Sequence, residues 1–354
     1  MRTRVLIVDD STSTRKVIRR QLEGAAGRSA GLEVVGEASD PFEARERIFK
    51  LRPDILTLDV EMPRMNGLEF LKRLMQHHPL PVVVLSSVTP AQSKLAIMAL
   101  ELGACEVLCK GPETFAAQGR TIVDALARSR GARMGVMTQA AAPAASRGPL
   151  TASGSAQRDL VVIGSSTGGP QALDQVIGKL PKNFPPTALV QHMPAEFTGP
   201  FARRLNERSQ LEVFEARDRM PLRPGQCAVA PGGKHLELGG RPGAFTLRLS
   251  DAPAVNYHKP SVDVLFRSVI PHAARTVGVI LTGMGSDGAE GLLALKQAGA
   301  HTIGQDQATS LVYGMPRVAA ERGAVQEVRS LPTVAQSMVR ACFGKRRATY
   351  LTGS

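Results

Sequence analysis

The chain has 354 residues, 43% hydrophobic and 21% charged, the make-up of a globular protein with room for two cores. No run approaches the roughly 18 apolar residues of a membrane span, "MRTRVLIVDD" enters a strand pattern without a signal peptide, and Cys105, Cys109, Cys227 and Cys342 have neither metal-ligand spacing nor the number for a disulfide framework; we expect no membrane insertion and a cytoplasmic location. The net charge of +13 divides into +2 over residues 1–128, +3 over 129–157 and +8 over 158–354, and with 4% aromatics and no Trp it points to acidic protein partners and not to nucleic acid.

Residues 1–128 alternate short apolar runs with amphipathic stretches. "RVLIVDD", "LEVVGEAS", "DILTLDV", "PVVVLSS" and "CEVLCKG" read as strands, and "NGLEFLKRLMQHH" as a helix with Leu68, Leu71 and Leu74 on one face. Five strands alternating with helices predict a parallel, doubly wound α/β sheet whose functional edge lies beyond the C-terminal strand ends. Residues 129–157 are rich in Ala, Gly, Ser and Pro and contain no acid, which reads as a flexible linker. Strands resume at "DLVVIGSS", "TALVQHMP", "LEVFEA" and "TVGVILTGMG", and "RPGQCAVAPGGKHLELGGRPGAFTLRLS" reads as β-hairpins with Gly-rich turns. A tail, 346–354, follows.

At the predicted edge of the first sheet the sequence places Asp9, Asp10, Asp59, Ser86 and Lys110, each at a strand end. Three carboxylates together repel, and a hard divalent cation such as Mg²⁺ relieves that repulsion; a lysine and a hydroxyl beside them suit a phosphoryl group. On "LIVDD", "LDVEMPRMNG", "VLSS" and "CKG", residues 1–128 resemble a response-regulator receiver domain of flavodoxin-like fold. The resemblance implies Asp59 as phospho-acceptor, Asp10 and Asp59 as Mg²⁺ ligands with Asp9 assisting, Ser86 as switch hydroxyl and Lys110 as the phosphate-contacting lysine. Gly111 stands where that family usually has proline, which follows one residue later as Pro112.

The second half opens on "LVVIGSSTGGPQAL". It is no dinucleotide fingerprint, since Ser166 occupies the second glycine position, and no Walker loop, since Pro170 follows Gly169. It does match G-x-S-x-G from Gly164 to Gly168, which sets a serine on a tight strand-to-helix turn. A nucleophilic serine needs a base and an acid to orient it. His192 ends the next predicted strand, whereas His235, His258, His272 and His301 have no comparable placement. Asp287 follows a further apolar run, although with Glu290 three residues on it also resembles a helix capping box. Chemistry alone does not separate Ser165 from Ser166.

Residues 158–345 resemble the catalytic domain of the CheB chemotaxis methylesterases, on "IGSSTGGP", "QHMP", "APGGKH", "PSVDVLF" and "LTGMGSDGAEG". The motif register implies Ser166 as nucleophile, His192 as base, Asp287 as orienting acid, the Met284 N–H in the oxyanion hole and Thr167 lining the site; Ser165 replaces an alanine common there. The implied fold is an α/β methylesterase domain with a mainly parallel sheet and an added β-hairpin. The implied function is removal of methyl esters from chemoreceptor glutamates, with release of methanol, and deamidation of receptor glutamines, without a cofactor for the hydrolysis. The implied phosphodonor is a chemotaxis histidine kinase. The rival readings are a receiver joined to an output domain that only binds a ligand, with "GSSTGG" holding an anion, or one that binds DNA.

Overall fold

Apolar segments pair as parallel strands in both halves of the chain, and each half is a separate compact unit, residues 1–140 and 141–354. The structure, a computed structural model, describes residues 2–62, 64–87, 89–110, 120–134, 150–152, 154–344 and 348–350. Gly111, Pro112 and most of the linker lie outside the described residues.

In the first unit β1 (Thr3–Val8), β2 (Leu32–Ala38), β3 (Ile55–Asp59), β4 (Val82–Ser86) and β5 (Glu106–Cys109) form one parallel sheet in the order β2-β1-β3-β4-β5. Every residue of β3 and β4 is buried, as strands covered on both faces require. The helix Gly67–His77 starts where the Asn66 side chain accepts the Leu68 N–H, and it buries Leu68, Leu71 and Leu74 as their spacing predicts. The helix Pro41–Leu51 starts likewise on Asp40, which takes the N–H groups of Phe42 and Glu43. The doubly wound sheet predicted for this half is the one found.

In the second unit β6 (Leu150–Ala152) precedes β7 (Leu160–Ser165), β8 (Thr187–Gln191), β9 (Glu212–Glu215), β10 (Pro221–Leu222), β11 (Gln226–Val229), β12 (His235–Arg241), β13 (Ala244–Ser250), β14 (Thr276–Ile280), β15 (His301–Gln305), β16 (Glu327–Arg329) and β17 (Ala348–Tyr350). Seven of these form a parallel sheet in the order β16-β15-β14-β7-β8-β11-β9. The strands at its centre, β14, β7 and β8, are buried along their whole length. Because all seven run the same way, the ends of β7, β8 and β14 come to one edge.

Two expectations for this half are corrected. The stretch predicted as hairpins contains one, β12 with β13, which β10 extends to a three-stranded antiparallel sheet. Its first segment, "QCAV", instead joins the main sheet as β11, parallel to both β8 and β9. The cause is visible at Gly225, whose N–H donates to Phe184 and whose carbonyl accepts from Glu212, so the chain enters in register with both neighbours. Likewise, β6 lies within the predicted linker and β17 within the predicted tail, and the two pair antiparallel. Leu150 is buried and its N–H donates to the Lys179 carbonyl, so this end of the linker is tied to the second unit.

Candidate active site

At the edge of the first sheet, Asp9 lies just past β1, Asp59 ends β3 and Lys110 lies just past β5. The Lys110 ammonium is 2.8 Å from Asp9 Oδ2 and 2.6 Å from Asp59 Oδ2. Asp9 and Asp59 are buried, Asp10 is exposed, and one carboxylate oxygen from each of the three lies within 4.8 Å of the others. That donor set, hard oxygens of concentrated negative charge with one open side, fits a divalent cation such as Mg²⁺. Burial pushes the Asp59 carboxyl above the usual carboxylate range, Lys110 pulls it down, and the nearby Asp9 charge adds to the rise. Burial lowers the Lys110 pKa, and its bonds to Asp59 and Asp9 reverse that and hold it raised. Ser86 ends β4, the strand end at which the sequence places it, and is buried.

In the second unit the question posed by "GSSTGG" has a geometric answer. Gly168 caps the helix Gly169–Ile177 in the left-handed region, at φ 78°, where a Cβ would also meet Leu311. Gly169 is needed for close approach, since a Cβ there would lie 1.9 Å from Gln191 Oε1. The two serines have different surroundings. Ser165 is fully buried and its hydroxyl donates to Gln191 Oε1 at 2.7 Å. Ser166, one residue past the end of β7, keeps a little exposure and donates its backbone N–H to the Thr282 carbonyl.

His192 follows β8, and its N–H donates to the Ser165 carbonyl, which sets it directly across from the serine turn. The Gln191 amide donates to both the Ser166 and the His192 carbonyls, at 2.9 and 3.0 Å, tying the two strand ends together. The His192 ring bonds through Nε2 to Asp287 Oδ2 at 2.8 Å. Its Nδ1 is buried and has no hydrogen-bond partner among the described residues. The structure therefore brings all three predicted residues to one edge and joins His192 to Asp287, without a bond between Ser166 Oγ and the ring. Thr167 Oγ1, on the same turn, is also buried and has no hydrogen-bond partner among the described residues, and the Thr167 carbonyl accepts from Thr282 Oγ1. Met284 follows Gly283, which packs directly on Ser166: a Cβ on Gly283 would lie 2.8 Å from the Ser166 Cβ.

The capping alternative for Asp287 is excluded. The helix Ala289–Gln297 takes Gly288 as its cap with no side-chain bond, and Glu290 pairs instead with Arg267 and Arg322. The Asp287 carboxylate accepts the Val262 N–H at 2.7 Å, the Ser261 hydroxyl at 2.8 Å and the Asn256 amide at 3.1 Å besides its bond to His192. Burial alone would raise its pKa; the His192 bond and charge, followed by the Val262 N–H and the Asn256 amide, outweigh burial and hold the carboxyl well below the usual carboxylate range. It is an ionised acid with its lone pairs spoken for.

Sequence reasoning missed the residues that hold this acid: Asn256, Ser261 and Asp263, whose carboxylate accepts from Gly291 and Asn256. It also missed Gln191 and His258. For Gln191, Ser261 and Asp263 the signal lay in "QHMP" and "PSVDVLF", which carried a resemblance but no individual chemistry; Asn256 and His258 lie in neither motif. His258, which ends no strand, stacks on His192 with ring centroids 3.7 Å apart and 9° between planes. His235, which ends no predicted strand, is a structural histidine, buried between the Pro253 carbonyl and the Ser261 N–H.

Comparison with known proteins agrees with both halves. The family model described as CheB methylesterase matches residues 161–338, and that of the response regulator receiver domain matches residues 5–116. Protein-glutamate methylesterase/protein-glutamine glutaminase 1 of Caulobacter vibrioides is 46% identical over 347 residues, 97% of this chain and 99% of that protein. The similarly named protein 4 of Anaeromyxobacter dehalogenans is 44% identical over 342 residues, 96% of this chain and 95% of its own. Among solved structures, the CheB methylesterase catalytic domain of Thermotoga maritima aligns with a TM-score of 0.50 at 39% identity, covering 52% of this chain and 98% of that one. A family match over half of the chain, joined to relatives of this identity from end to end, settles the affiliation: this chain belongs to the CheB methylesterase family and carries an N-terminal response regulator receiver domain.

Proposed function

We propose that the protein is a phosphorylation-regulated serine hydrolase that removes methyl esters from chemoreceptor glutamates, releasing methanol, and deamidates receptor glutamines by the same route. The observation that carries this reading is the His192–Asp287 bond at the same sheet edge as the Ser166 turn, the other ring nitrogen being buried and without a hydrogen-bond partner among the described residues. Ser166 Oγ attacks the γ-carbonyl carbon while its proton passes to His192 Nδ1. Asp287, ionised, holds the Nε2–H and stabilises the imidazolium. The ring nitrogens thus exchange the parts they play in the best-known serine hydrolases, where Nδ1 faces the acid. Rotation of the hydroxyl and side-chain adjustment on substrate binding supply the missing bond, as happens at many unliganded sites.

The Met284 N–H stabilises the oxyanion, a contribution of about 3–4 kcal/mol for one such donor, and Thr167 lines the site. The C–O bond to methanol breaks as His192 returns the proton to the leaving oxygen. Water, deprotonated by the same imidazole, then cleaves the acyl-serine and leaves a glutamate carboxylate. With glutamine as substrate the leaving group is ammonia. The net charge of +8 on residues 158–354 suits a glutamate-rich receptor segment.

In the receiver, residues 1–128, Asp59 accepts the phosphoryl group from a chemotaxis histidine kinase; Asp10 and Asp59 would hold Mg²⁺ there, with Asp9 assisting. When bound, the ion supplies positive charge that offsets the repulsion among these acids and the phosphoryl oxygens. Lys110 holds the phosphoryl group and Ser86 responds to it. Residues 129–157 connect this regulator to the hydrolase, residues 158–345, in the cytoplasm; among the described residues no helix is long and apolar enough to cross a membrane. The test is methanol release from methyl-labelled receptors by wild type, Ser165→Ala and Ser166→Ala. We expect Ser165→Ala to remain active and Ser166→Ala to be inert; release that survives Ser166→Ala and not Ser165→Ala overturns the assignment of the nucleophile.

A further inference from the structure

The segment Val255–His258 is a tight reverse turn closed by two backbone hydrogen bonds, Val255 N–H to the His258 carbonyl at 3.1 Å and His258 N–H to the Val255 carbonyl at 2.9 Å. Its two central residues, Asn256 and Tyr257, have φ of 53° and 65°, the left-handed pair that a mirror-image turn demands. Asparagine accepts that conformation readily and tyrosine rarely does, so the surroundings must hold the turn in place. They do so at both ends. The Asn256 amide nitrogen donates to Asp263 Oδ2 at 2.8 Å and to Asp287 Oδ1 at 3.1 Å. At the other end the His258 ring lies flat on the ring of His192. One rigid turn therefore grips the acid with its first central residue and the base with its last.

We propose that His258 is a positioning residue for the hydrolysis, fixing the plane of the His192 imidazole so that Nδ1 faces Ser166 while Nε2 stays on Asp287; the inference rests on the Ser166–His192–Asp287 reading above. A single bond to Asp287 leaves the imidazole free to tilt about the Nε2···Oδ2 line. A parallel ring at 3.7 Å removes that freedom, because any tilt drives the two faces together. The Asn256 anchor makes the effect directional, since the same turn that bears His258 is bonded to the carboxylate that pins Nε2. His258 acts through His192 and needs no contact with the substrate, so its effect belongs in kcat. What it must supply is a flat face parallel to the His192 ring.

The full-length chain is assayed for methanol release from methyl-labelled chemoreceptor membranes, with kcat and KM measured separately. His258→Phe keeps a flat ring and is expected to hold kcat within about threefold of wild type. His258→Leu fills the space without a flat face, and its kcat should fall about tenfold or more with KM nearly unchanged, the scale expected when a catalytic group is misaligned. Equal kcat for the Leu and Phe variants, or a loss confined to KM, overturns the proposal. Should His258→Leu fail to fold, as judged by its thermal melt, His258→Met takes its place: it too fills the space without a flat ring, so a kcat about tenfold below that of His258→Phe supports the proposal and an equal kcat overturns it. Ser166→Ala, run alongside, separates the two levels of inference. If it is inert while His258→Leu runs at full rate, only the clamp fails; if it is active, the triad itself fails.

Discussion

Both halves of this protein place an aspartate at the C-terminal edge of a parallel sheet, and their surroundings shift the two acids in opposite directions. Asp59 sits among other carboxylates with one lysine, and burial and Asp9 push its pKa up. Asp287 is just as buried but is met by a ring nitrogen, a backbone N–H, a hydroxyl and an amide, and its pKa is held down. The sheet edge fixes where an acid stands, and the donors around it decide what it does. An acid crowded by other acids is suited to take up a cation and a phosphoryl group. An acid saturated with donors stays charged and orients an imidazole.

The strongest way to break this contrast is to remove the charge from the second acid and leave its shape. Asp287→Asn should lower kcat by about 10⁴-fold, because an amide cannot hold the Nε2–H tautomer of His192; methanol release from labelled receptors measures it, and a loss under tenfold would refute the role given to Asp287. Next in size is the response to phosphorylation. Asp59→Asn should abolish labelling by a phosphodonor and the activation that follows it, while basal esterase activity is retained. Loss of basal activity would show that the receiver carboxylate belongs to the hydrolytic machinery.

A smaller effect tests the electrostatics directly. The Asp287 carboxyl has a folded-state pKa below its ordinary value near 3.8. Its charged form therefore contributes stability that is present above that value and is lost as pH falls below it, toward the depressed folded pKa. The stability difference between wild type and Asp287→Asn, from urea unfolding of the catalytic half, should thus shrink between pH 5 and about pH 3; a difference that is constant or grows would contradict the sign. Smallest of all is Ser165→Ala, expected to change kcat by less than about threefold. Among the described residues its hydroxyl bonds the Gln191 side chain and, weakly, the Val190 carbonyl, and Gln191 retains its own two donations to the Ser166 and His192 carbonyls.

The contrast also marks what the sequence could convey. In the receiver the acids of the proposed phosphorylation site stand at the strand ends themselves, and the apolar runs that make β1, β3 and β4 announce where those ends fall. In the hydrolase Ser166, His192 and Asp287 follow such runs too and were legible for the same reason. Their supports were not. Asn256, Ser261 and Asp263 act from a turn and a helix start that no periodicity singles out, and Asp287 carries the same local pattern as a capping residue. His258 sits at no strand end and reaches His192 only through a left-handed turn whose second central residue is a tyrosine. Short polar strands were also hidden: β15 is "HTIGQ" and β16 is "EVR", so hydrophobicity alone gives neither away. β11 is four residues between a glycine turn and Pro231, and only its partners reveal it as parallel.

The central claim is that the His192–Asp287 pair activates Ser166 and no other hydroxyl. The direct measurement is covalent trapping of the full-length protein with a serine-directed fluorophosphonate, followed by mass spectrometry of the modified peptide. The account predicts a single adduct on Ser166 that forms in wild type and is nearly absent in Asp287→Asn. An adduct on Ser165, or no adduct at all on a protein that still releases methanol, would contradict it.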